Sequence, residues 1–151
     1  MKTNTYMEHA LDQARAAAGR GEVPVGAVVV GDDGKIIAAA GNETRARNDP
    51  TAHAEILAIR AACDALQQAR LNGAVLYVTL EPCAMCAGAI SHARIKRVVY
   101  GAADPKSGGT DHGARVFAHP QCHHKPDVIG GIHETACAEL LKAFFATREN
   151  R

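Results

Sequence analysis

His53, Cys83 and Cys86 are the side chains best suited to chemistry here, with Glu55 two residues beyond the first of them. One imidazole and two thiols make a soft ligand set of the kind that holds zinc. Three protein ligands leave a tetrahedral zinc one open position, where a water can be activated. A carboxylate beside such a water can move protons, and Glu55 is the candidate. Cys83 and Cys86 lie three positions apart, so one helical turn presents both on one face. His53 and Glu55 lie two apart, on roughly opposite sides of an ideal helix. Both serve one site only if His53 stands at the frayed start of its helix. Asp49-Pro50-Thr51 supplies a start signal there, with Thr51 or Asp49 as the expected cap. Two helix N-termini then converge on the metal, and their positive ends favour thiolate and hydroxide.

The elements that must position these residues follow from periodicity. Residues 6–18 carry Met7, Ala10, Leu11, Ala14 and Ala17 at helical spacing. Residues 23–30 form a continuous apolar run, expected as a buried strand. Asp32-Asp33-Gly34 signals a hairpin turn, after which 35–40 returns as a second strand. A helix is expected over 53–68, a strand over 75–80, a short helix over 83–92 and a strand over 97–100. The stretch 104–131 is loose and rich in Gly and His, with only a weak strand signal at Val128-Ile129. A closing helix spans 134–148. Strand, helix, strand, helix, strand through the middle predicts a layered α/β domain.

Bulk properties narrow the function classes. A length of 151 residues predicts a single domain, 1–151, able to bury its own core. No apolar run approaches the roughly 20 residues of a membrane span. The opening Met1-Lys2-Thr3-Asn4-Thr5 lacks the apolar centre of a signal peptide. Five cysteines, two of them in the metal motif, suit a reduced cytoplasmic compartment better than a disulfide framework. Net charge is only +1, so charge alone announces no nucleic-acid binder. Residues 91–151 do hold 9 Lys and Arg against 6 Asp and Glu, a mild basic tilt.

The string Thr51-Ala52-His53-Ala54-Glu55 with Leu80-Glu81-Pro82-Cys83-Ala84-Met85-Cys86 resembles the cytidine/deoxycytidylate deaminase superfamily, and within it the bacterial enzymes that act on tRNA. Residues 22–28, 41–42, 49–60, 76–90 and 97–106 carry the likeness, which is loose from 107 to 131. The resemblance implies a three-layer α/β/α fold with a central five-stranded mixed sheet, working as a homodimer. It implies one zinc per subunit on His53, Cys83 and Cys86, with Glu55 as proton shuttle. Asn42, Val25 and the backbone of Ala54 are implied to contact the substrate. That substrate is implied to be the adenosine at the first anticodon position of a tRNA for arginine, converted to inosine and bound through the anticodon arm. A base within a stack is out of reach, so the target is an unpaired or extruded nucleotide. The rivals are the same chemistry on a free base, nucleoside or nucleotide of guanine or cytidine type, and an inactive zinc module that binds RNA or a partner.

Other residues have plainer readings. Cys63 and Cys137 fall on apolar helical stripes as small buried hydrophobes. Of Phe144 and Phe145, one is expected in the core. Arg45, Arg47, Lys106 and Arg148 read as solvated charges that could meet phosphate. Cys122, His123 and His124 read as loop residues near a dimer contact rather than as a second metal site.

Overall fold

The computed structural model describes residues 2–149. Its elements in chain order are α1 (Lys2–Gly19), β1 (Gly26–Val30), β2 (Ile36–Gly41), α2 (Ala54–Leu66), β3 (Val75–Leu80), α3 (Ala84–His92), β4 (Arg97–Ala102), a 3-10 turn (Val116–Ala118), β5 (Asp127–Ile129) and α4 (Glu134–Glu149). The strands form one five-stranded sheet in the order β2-β1-β3-β4-β5. β1 runs antiparallel to both β2 and β3, while β3, β4 and β5 run parallel. The sheet is therefore mixed, as expected.

Alternation along the strands builds two cores, because successive side chains point to opposite faces. Ala27, Val29, Leu76, Val78, Val98 and Tyr100 face one side and pack on Ala54, Ala58 and Ile59 of α2 and Ala87 and Ile90 of α3. Val28, Val30, Tyr77 and Val99 face the other side and pack on Met7, Ala10 and Leu11 of α1 and Cys137 of α4. Both faces being covered explains why the strands are nearly all apolar. Gly26 is dictated by the close approach of α1: a Cβ there would collide with the carbonyl oxygen of Ala10 and stand 2.6 Å from the Ala14 nitrogen.

The structure corrects several local expectations. The first strand starts at Gly26, not Val23, because Pro24 has no N–H and the Val25 amide bonds locally to the Val23 carbonyl (2.8 Å). Residues 23–25 thus leave the sheet. The cap of α2 is His53, not Thr51 or Asp49. Asp49 instead accepts the Thr51 amide (2.8 Å) and hydroxyl (2.7 Å) within the preceding loop. The weak signal at 128–129 is a real strand, only three residues long and at the sheet edge. Neither Phe144 nor Phe145 is buried. Phe145 is 46 % exposed, and Phe144 lies under the Arg148 guanidinium, 4.2 Å from its ring centre. Cys137 is buried as expected, whereas Cys63 is only half-buried. The Gly21 carbonyl accepts both Arg45 Nη1 (3.3 Å) and Arg148 Nη2 (2.9 Å), joining distant parts of the chain.

Candidate active site

α2 and α3 begin side by side, and their N-cap residues are His53 and Cys83. Both caps are extended, with φ −72° and ψ 153° for His53 and φ −72° and ψ 176° for Cys83. Neither side chain caps its own helix. A Ser or Asp at these positions would turn inward to the helix amides; imidazole and thiol are aimed elsewhere. Cys86, one turn into α3, is fully buried beside them. His53 Nδ1 lies 3.6 Å from Cys83 Sγ and 3.5 Å from Cys86 Sγ. The three ligand atoms fall within 4.8 Å of one another. Tetrahedral zinc, with Zn–N near 2.0 Å and Zn–S near 2.3 Å, places its N and S ligands about 3.6 Å apart. The triangle fits that ion. Among the described residues no second such group occurs. Cys122 and His124 act structurally instead: the Cys122 thiol donates to the His124 carbonyl (3.2 Å), and His124 Nε2 meets the Ile95 carbonyl (2.6 Å).

Electrostatics at the cluster are strongly perturbed. The hydrogen bond from Cys86, and then that from His53, brings the Cys83 thiol down to about 4. The same Cys83 bond, then burial, raises Cys86. Two adjacent sulfurs thus resist holding two negative charges unless a cation sits between them. The bond to Cys83 also raises His53. Glu55 is buried, and burial pushes its carboxyl up to about 7. A carboxylate tuned near neutrality is matched to taking up and giving back protons.

The cluster floors a cleft of about 250 Å³ lined by Val25, Asn42, His53, Glu55, Cys83 and Asp104 among others. That volume lies just below the usual range for drug-sized ligands and suits a single base. The cleft opens at the carboxyl ends of β3 and β4, the usual ligand position in α/β sheets. Val25 reaches it because residues 23–25 leave the sheet. Asn42 Oδ1 accepts the Ala54 amide (2.7 Å), so it supplies from a distance the cap that His53 does not. A base contact through the Ala54 N–H therefore requires Asn42 to release that bond. Of the residues singled out from the sequence, Val25, Asn42, His53, Glu55 and Cys83 line the cleft and Cys86 lies buried beneath it with His53 and Cys83, whereas Ala54 is fully buried and Arg45, Arg47, Lys106 and Arg148 are not among the lining residues.

Comparison with known proteins agrees with this geometry. The model of the MafB19-like deaminase family matches residues 1–149. A tRNA-specific adenosine deaminase of Agrobacterium fabrum is 60% identical over 146 residues, covering 97% of this chain and 94% of its own. The chain belongs to the tRNA-specific adenosine deaminase family. A solved structure from a study of A-to-I editing by tRNA A34 deaminases at the wobble position matches this deaminase with a TM-score of 0.89 at 60% identity. It covers 91% of this chain and 99% of the other. A guanine deaminase of Nitrosomonas europaea shares the fold, with a TM-score of 0.82 at 24% identity over 95% of this chain and 84% of the other.

Two buried carboxylates of the deaminase escaped the sequence reading. Burial pushes Glu22 up, but the amides of Ala46 (2.9 Å) and Arg45 (3.1 Å) and the Thr44 hydroxyl outweigh it and hold the carboxyl low. Glu22 thereby fixes the loop that carries Thr44 to the cleft. Glu81 does the same for residues 104–112, with donors from Asp104, His112 and Thr110 overcoming its burial. Only their place beside motif residues could have singled them out, since an isolated Glu reads as solvated. Among the described residues no helix is long and apolar enough to cross a membrane.

Proposed function

We propose that this chain hydrolytically deaminates adenosine to inosine at the wobble (first anticodon) position of tRNA, releasing ammonia. The observation that carries the reading is the His53, Cys83 and Cys86 triangle with Glu55 buried beside it, under a cleft sized for one base. The 60% identity to a relative named for tRNA adenosine deamination supports the substrate.

His53, Cys83 and Cys86 would hold one zinc per subunit. When bound, zinc supplies the Lewis acidity that makes a water nucleophilic near neutral pH. Glu55 accepts the proton of the attacking water and delivers it to the adenine ring nitrogen. Oxygen bonds to the amine-bearing carbon. Glu55 then carries the second proton to the leaving amine, which departs as ammonia, and the ring retains the carbonyl of inosine. Asn42, Val25 and the Ala54 backbone align the base. The cleft admits a base only when it is splayed from its neighbours, which an anticodon loop already provides. In this reading the enzyme works in the cytoplasm on the anticodon arm and pairs with a second copy of itself.

The test is incubation of zinc-loaded protein with an anticodon stem-loop and, separately, with free guanine, cytidine and adenosine. Inosine in the RNA is expected. Ammonia from a free base with none from the RNA would assign the free-base reaction instead, and the fold shared with a guanine deaminase is compatible with that outcome.

A further inference from the structure

The segment 103–115 contains no helix or strand, yet its Asp104 and Ser107 line the cleft. It is tied down from beneath by one carboxylate. The Glu81 side chain is 0% exposed. Its Oε1 accepts the Asp104 amide (3.0 Å) and faces His112 Nδ1 at 2.7 Å. Its Oε2 accepts the amides of His112 (2.9 Å) and Thr110 (3.3 Å) and the Thr110 hydroxyl (3.1 Å). Bonds to a buried, ionised acceptor are the strong kind, and here every donor comes from one loop. Further ties act on the same segment. The Tyr100 hydroxyl donates to Asp111 (2.7 Å), and the Gly109 amide donates to the Pro82 carbonyl (2.7 Å). At Gly109 a Cβ would stand 2.5 Å from the Ala84 nitrogen, so the loop lies directly on the Cys83–Ala84 backbone.

We infer that Glu81 and His112 are positioning residues for the substrate: the buried carboxylate gathers the loop and His112 latches it, making Asp104 and Ser107 a fixed wall of the cleft. Neither residue takes part in bond making or breaking. The inference rests on the function proposed above for the identity of the substrate, but not for the latch itself. Glu81 is a poor first target, because its removal strands five donors at once. His112 is the better one, since its side chain is 41% exposed and no core cavity results.

Two readouts decide the matter. In His112→Ala, the KM for an anticodon stem-loop is expected to rise about tenfold with kcat within about twofold, the scale of one lost bond to a charged group. Zinc content should stay at the wild-type level. His112→Gln, whose amide can still donate to Oε1, should recover most of the KM. Amide exchange reads the latch without any substrate: the Asp104 and Thr110 amides should exchange about tenfold faster in His112→Ala than in wild type. Unchanged exchange, or an unchanged KM, overturns the inference. So does a fall in kcat and zinc together, which would place the pair in support of the metal ligands. If the wild-type protein leaves the stem-loop unreacted, the proposed function fails, and the exchange result still decides the latch.

Discussion

Glu55 combines a catalytic chemical type with a position that penalises its charge. Its carboxyl moves from an ordinary 4.5 to about 7 in the fold. Between those values the native protein keeps a proton that the unfolded chain has lost. The native state then binds more protons, so stability falls as pH rises through that window. The stabilisation is complete below about pH 4.5 and gone above about pH 7. In metal-free protein, Glu55→Gln should therefore gain on wild type in urea midpoint between pH 5 and pH 8. Parallel profiles for the two proteins would show that Glu55 does not titrate there. In zinc-loaded protein the same variant should keep its metal and lose about a hundredfold or more in deamination rate, the scale for removing a general acid and base. Residue identity alone made this group legible, because a His, a Glu and two Cys at these spacings have few other uses. Glu22 and Glu81 were illegible for the opposite reason. Their role depends on backbone amides brought in from residues 44–46 and 104–112, and no local pattern records such a meeting.

At the scale of elements, the catalytic geometry is a matter of how two helices begin. Periodicity identified α2, α3 and the strands between them, since apolar spacing is a local property. It misplaced the cap of α2, since the acceptor for the Ala54 amide belongs to Asn42, which lies against the helix start in space but precedes it by a loop in the chain. Asn42→Ala should cost about 1–2 kcal/mol, the worth of a cap plus a buried amide left without a partner. Asn42→Asp, which keeps an acceptor oxygen, should recover part of this. Urea unfolding of the three proteins checks the order, and equal midpoints would deny Asn42 its structural role. The first strand was over-extended because Val23 and Val25 look like strand residues. Their departure from the sheet follows from Pro24, and it is what brings Val25 to the substrate cleft.

For the whole molecule, the sheet carries a helix pair on each face, and the cluster sits where α2 and α3 both start on one of them. The opposite pair contributes through packing. Gly26→Ala drives a methyl into the α1 backbone and should destabilise by about 2–3 kcal/mol, the cost of overpacking a rigid contact. Thermal and urea unfolding measure this, and a neutral result would mean that α1 can shift outward freely. The carbonyl of Gly21 adds a constraint that neither core explains. It receives the guanidinium of Arg148, near the chain's far end, alongside that of Arg45 from the loop that Glu22 organises. The last turn of α4 is thereby moored to the approach to the catalytic mouth. Replacing Arg148 is then no remote surface change: it takes from the Gly21 carbonyl one of its two guanidinium partners and slackens the link to the loop that carries Thr44.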